Sequence, residues 1–140
     1  MTGGGRLVIL SGPLRPHEMM FQALAVLLGA VYLIGAPPPA SVAALMPEWA
    51  VRLWAGGLLV SGLLTAVSLI LRRRPAMSLR IEQSAMLIGA AALTWTTYAI
   101  FVYTAWSSRA LLGGGFCLVW AAANVMRAEQ CRRDVRRVLP

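Results

Sequence analysis

The sequence predicts an all-α integral membrane protein: a four-helix bundle in a single membrane domain over residues 1–140, with both termini cytoplasmic. Three observations predict it. First, 59% of the 140 residues are hydrophobic and only 13% are charged, and the mean hydropathy is +0.69. Soluble domains carry about 45–50% apolar and about 25% charged residues, and disorder needs low hydrophobicity, so both classes are excluded as defaults. Second, four apolar runs each have the roughly 17–25 residues that a membrane span requires. Third, the arginines divide unequally between the two sides that those spans define.

The first run, Met19 to Ala36, has 18 residues, with Gln22 its one strongly polar member. Pro16 and Glu18 suit a first helical turn, and Pro37, Pro38 and Pro39 stop the helix. Ser41-Val42-Ala43 resembles a signal-cleavage site, but the run exceeds a usual signal core, so we read a retained helix. The second run, about 50–71, has 22 residues, with Pro47-Glu48 before it and Arg72-Arg73-Arg74 after it. The third, about 83–106, has 24 residues without a charge, and Ser78 is placed to cap its approach. The fourth, about 110–126, has 17, with Ser108 as its cap. Ser107-Ser108-Arg109 is too short for anything but a tight antiparallel hairpin. A lipid-exposed segment must satisfy its own backbone, so each run is expected to be a helix. Gly3-Gly4-Gly5 reads as flexible, and Leu7 to Leu10 suit the membrane surface.

Orientation follows from the arginines, which supply all 13 basic residues. With the N-terminus inside, Arg6, Arg15, Arg72, Arg73, Arg74, Arg80, Arg127, Arg132, Arg133, Arg136 and Arg137 are cytoplasmic, and only Arg52 and Arg109 are outside. Tyr32, Trp49, Trp54, Tyr103 and Trp106 then gather at the outer interface. The expected location is the bacterial cytoplasmic membrane. The expected headgroup contacts are Arg72, Arg73, Arg74, Arg132, Arg133, Arg136 and Arg137, facing anionic lipid.

No catalytic, cofactor or metal constellation is legible, and no nucleic-acid partner is expected. His17 is the single histidine, and Cys117 and Cys131 are not spaced as ligands. Fourteen helical residues place the two thiols about 21 Å apart, beyond disulfide reach. Gly113-Gly114-Gly115 lacks the Lys-Ser/Thr of a phosphate-binding loop. Glu18, Glu48, Glu82, Glu129 and Asp134 all fall at or beyond the ends of the runs. Proton-coupled transport, which uses an ionisable group within the membrane, is weakened accordingly.

Small and hydroxylated stripes run along three helices: Gly57, Ser61, Thr65 and Ser68; Thr94, Thr97 and Thr104; and Gly113, Cys117, Ala121 and Asn124. Such stripes permit close helix approach and also suit a weakly polar pore. Asn124, Ala128, Cys131, Val135 and Val138 continue the last stripe into the basic tail, 127–139. Arg127, Glu129, Arg132, Arg133, Asp134, Arg136 and Arg137 fall on the opposite face, so the helix is expected to run on to Val138. The tail has two readings: a basic segment lying on anionic lipid, or a helix whose stripe packs against copies of itself around an axis. The second reading makes Gly113, Gly114, Cys117, Ala121, Asn124, Ala128, Cys131 and Val135 a packing and oligomer face. It expects a homo-oligomer with a Cys131–Cys131 contact.

Pro13-Leu14-Arg15-Pro16-His17-Glu18-Met19-Met20, the Pro-rich loop with Pro47-Glu48-Trp49, and the tail from Asn124-Val125-Met126-Arg127 through Gln130-Cys131-Arg132-Arg133-Asp134-Val135-Arg136-Arg137 resemble small four-span membrane proteins of actinobacterial phages. The resemblance covers most of the chain and carries no catalytic residues. It implies a holin-like lysis-cassette protein, not an enzyme, that oligomerises and opens a pore or lesion, with a lysis-cassette partner. The alternative is a non-pore membrane module, an accessory, superinfection-exclusion or scaffold protein, that recruits lipid or a partner through its basic tail.

Overall fold

The computed structural model describes residues 16–104 and 107–138. The glycine-rich start, residues 7–10, Trp106 and the side chain of Arg109 lie outside the described set. Among the described residues five α-helices follow in order: α1 (Pro16–Ile34), α2 (Ala40–Leu45), α3 (Glu48–Ile70), α4 (Pro75–Tyr103) and α5 (Ser108–Val138). A single 3₁₀ turn, Leu71–Arg73, joins α3 to α4. The four long helices are apolar and long enough to cross a membrane, so by length and composition the chain is a multi-pass helical membrane protein.

Local chemistry sets the boundaries. Helix α1 begins on Pro16, where a missing N–H costs nothing. It ends where Gly35 takes φ +113° and the Ala36 N–H reaches back to the Val31 carbonyl at 3.1 Å, a Schellman closure that glycine makes easy. The prolines that follow keep it closed. Helix α2 was not expected; its six residues sit between the two proline stops. Helix α4 starts on Pro75, eight residues before the apolar run it carries. Ser78 is therefore inside the helix and caps nothing. Its hydroxyl donates to the Ser68 carbonyl at 2.7 Å and ties α4 to α3. Helix α5 runs unbroken for 31 residues, about 46 Å at 1.5 Å per residue.

The long helices form a ring in the order α1, α3, α4, α5, with the most extensive packing between α4 and α5. Helices α1 and α5 close the ring more lightly, through Phe21 against Phe116 and Trp120 at centroid distances of 5.8 and 5.1 Å. The starts of α1 and α4 and the ends of α3 and α5 share one end of the bundle, which carries most of the arginines. The prolines, α2 and Trp49 share the other. The apolar core lies toward the proline end, around Val42, Trp54, Ala55, Leu58, Leu93 and Ala99. Trp54, expected at the membrane interface, is part of this core. It packs on Tyr32 at 5.3 Å and its indole N–H donates to Thr96 Oγ1 at 2.9 Å.

Candidate functional site: the polar core and the arginine end

Toward the arginine end the bundle interior turns polar. Gln22 of α1, Ser61 of α3, Met86 of α4 and Asn124 of α5 meet in one layer, and each is buried. The Gln22 amide donates to Asn124 Oδ1 at 3.4 Å and approaches Met86 Sδ at 3.5 Å. The Ser61 hydroxyl lies 3.3 Å from Gln22 Oε1 and 2.8 Å from the Ala85 carbonyl. Gly89 makes room for this layer: a Cβ there would stand 2.6 Å from Ser61 Oγ and 2.9 Å from Asn124 Nδ2. Thr65 and Ser68 continue the polar face of α3 and satisfy their hydroxyls on carbonyls of their own helix.

The next layer holds a buried ion pair. Arg127 Nε donates to Glu82 Oε1 at 2.6 Å, and the two side chains retain only 10% and 8% of their exposure. This overturns two expectations. Glu82 does not lie beyond the end of its helix, and Arg127 does not belong to the exposed face of the tail. Asp134, placed on that same outer face, is 1% exposed and accepts from Arg137 at 3.3 Å. The cause is the early start of α4. Its first two turns, Pro75 to Glu82, cover the stretch of α5 that the apolar run alone would have left bare. Apolarity marks where a helix faces lipid, whereas the covering here is done by another helix.

The α5 stripe divides along its length. Gly114, Ala121, Asn124, Ala128 and Cys131 are buried, Cys117 and Val135 are half-buried, and Gly113 is exposed. Of the three consecutive glycines only Gly114 is required by packing: a Cβ there would lie 2.9 Å from the Phe101 ring, whereas at Gly113 it would make an ordinary contact with Ile100 at 3.8 Å and at Gly115 it would meet nothing within 4 Å. The stripe is therefore satisfied within one chain, with Cys131 1% exposed. A contact between the Cys131 residues of two copies does not follow from this arrangement. The closest interhelical glycine contacts were not legible in the stripes. They are Gly29 and Gly62, where a Cβ would stand 2.7 Å from the Ala55 carbonyl and from the Gln22 carbonyl, respectively. Their small size lets the α1 and α3 backbones touch.

The seven expected headgroup arginines, Arg72, Arg73, Arg74, Arg132, Arg133, Arg136 and Arg137, are all exposed at one end, and Arg80 joins them. Glu129 holds Arg132 and Arg133 at 2.8 and 3.1 Å. Among the described residues, Arg72, Arg73, Arg74, Arg80 and Arg136 have no carboxylate at ion-pair distance. At the other end Arg52 pairs with Glu48 one turn back. Among the described residues no cluster of three or more His, Cys, Asp or Glu side chains is arranged to hold a metal ion.

Comparison with family models, with curated proteins and with solved structures found no match.

Proposed function

We propose that the chain is a non-pore module of the bacterial cytoplasmic membrane, both termini inside, whose arginine end binds anionic phosphate headgroups. One observation carries this reading: eight exposed arginines from the α3–α4 turn, α4 and the last turns of α5 converge on one end, and five of them have no ion-pair partner among the described residues. Basic residues near an anionic leaflet contribute about 1 kcal/mol each. Guanidinium groups add bidentate hydrogen bonding to phosphate. The tail stands as part of the bundle, held by Cys131 and Asp134, and so presents its arginines from a rigid support.

The holin-like role implied by the phage resemblance is the competing proposal. It requires copies to enclose a conducting path between polar surfaces. The polar side chains Gln22, Ser61, Thr65 and Asn124 turn inward within one chain, while Leu27, Leu63, Val67, Leu118 and Val119 face outward. Lesion formation would then require the bundle to open.

Two measurements separate these readings. Native mass spectrometry from nanodiscs of mixed zwitterionic and anionic phospholipid should show enrichment of retained anionic lipid. Replacing Arg72, Arg73, Arg74, Arg132 and Arg133 by Gln should abolish it. Equal retention of both lipids by the unaltered chain defeats the headgroup reading. Inducible bacterial expression with membrane potential recorded should show accumulation without depolarisation, and an abrupt, concentration-dependent collapse of the potential would establish the pore.

A further inference from the structure

Trp120 and Asn124 stand one turn apart on α5 and are 6% and 5% exposed. Trp120 Nε1 and Asn124 Nδ2 are the two buried side-chain polar atoms without a hydrogen-bond partner among the described residues. Leaving a buried donor unmade is costly, and native structures hold few such groups. Both residues line one cavity of about 50 Å³, together with His17, Glu18 and Phe21 of α1, Met86 of α4, and Ala123 and Arg127 of α5. The cavity sits on the seam between α1 and α5, where the ring of helices closes most lightly.

We propose that this cavity binds one small, neutral hydrogen-bond acceptor oxygen, taken up by the Trp120 indole N–H. The chemistry selects that class. The two unmet groups are both donors, so the occupant accepts. Arg127 is already held by Glu82 at 2.6 Å, and Glu18 brings a second carboxylate to the same wall, so the walls carry no surplus positive charge to select an anion. The volume exceeds the roughly 10–15 Å³ that a single water needs, and polar partners are present. A volume of about 50 Å³ is too small for an ion with its hydration shell. Two sources supply such an oxygen: water entering from the arginine end, or the ester carbonyl of a phospholipid entering between α1 and α5. The inference stands independently of the headgroup reading.

The test uses the unaltered full chain with ¹⁵N-labelled tryptophan in bilayers of ester-linked phospholipid labelled with ¹³C at the carbonyl. Proton-detected solid-state NMR follows the Trp120 indole proton, assigned by sequential correlation and by its loss in Trp120→Phe. A cross-peak from this proton to water or to the lipid carbonyl supports the site. Repeating the measurement in ether-linked lipid distinguishes the sources, because a carbonyl contact disappears and a water contact persists. An indole proton that contacts neither, or that contacts a carbonyl of residues 1–15, overturns the proposal. Loss of the anionic-lipid enrichment described above leaves this readout untouched, so the two failures are distinguishable.

Discussion

The Glu82–Arg127 pair is where single residues matter most. Two charges are held in the bundle interior, and each is tolerable because the other is 2.6 Å away. Removing one partner leaves the other buried and uncompensated, a loss of about 3–5 kcal/mol, whereas replacing both by apolar groups of similar volume is often neutral or stabilising. Glu82→Gln and Arg127→Gln should therefore each lower unfolding stability by about that amount, and Glu82→Leu with Arg127→Met should recover most of it. Reversible unfolding in bicelles measures this, and additive losses in the double variant would contradict a coupled pair. Cys131 lies beside the same layer. At 1% exposure it should resist a soluble maleimide in native membranes and react once the chain is unfolded. Mild oxidation should give no Cys131-linked dimer, and a dimer lost in Cys131→Ser would restore the interchain seam.

At the scale of elements, close contacts between helices depend on some glycines and not on others. Gly62 lies against the Gln22 carbonyl and Val26 of α1. Gly62→Leu would overpack the α1–α3 contact, which typically costs 1–3 kcal/mol and occasionally more. Gly114 and Gly115 offer an internal comparison on one helix. An added methyl at Gly114 meets the Phe101 ring at 2.9 Å, and at Gly115 it meets nothing within 4 Å. Gly115→Ala should stabilise α5 by up to about 1 kcal/mol, the propensity difference between the two residues. Gly114→Ala should gain nothing or destabilise. Thermal unfolding in one detergent ranks the pair, and equal shifts would show that α4 does not press on α5 at Phe101.

Across the whole molecule, the bundle is polar at one end of its interior and apolar at the other, and its charged surface follows the same division. We expect the arginine end to face the cytoplasm, because basic residues are retained on that side during insertion. On a background with Cys117 and Cys131 replaced, a cysteine at position 43 should label from outside sealed cells with an impermeant reagent. Cysteines at positions 2 and 140 should be protected. The reverse pattern inverts the topology and places the arginines outside.

Four helices long and apolar enough to cross a membrane, the all-α character of the described residues and the gathering of most arginines at one end of the bundle were legible in the sequence. These follow from composition because the bilayer acts as a solvent: hydrocarbon selects apolar runs of a set length and forces their backbones into helices. The long final helix was legible too, since the 4-3 spacing from Asn124 to Val138 continues past the last apolar run, which ends at Met126. Which polar residues are covered depends on how the helices pack against one another. Glu82, Arg127 and Asp134 look like end charges along the chain, but α4 and α5 extend beyond the apolar runs and bury them against each other. Trp54 reads as an interfacial aromatic, yet Tyr32 and Thr96 draw it into the core. Gly113, Gly114 and Gly115 look equivalent in sequence, and a single ring from α4 makes one of them necessary. In each case burial is a property of the neighbouring helix, and the periodicity of one segment carries no record of it.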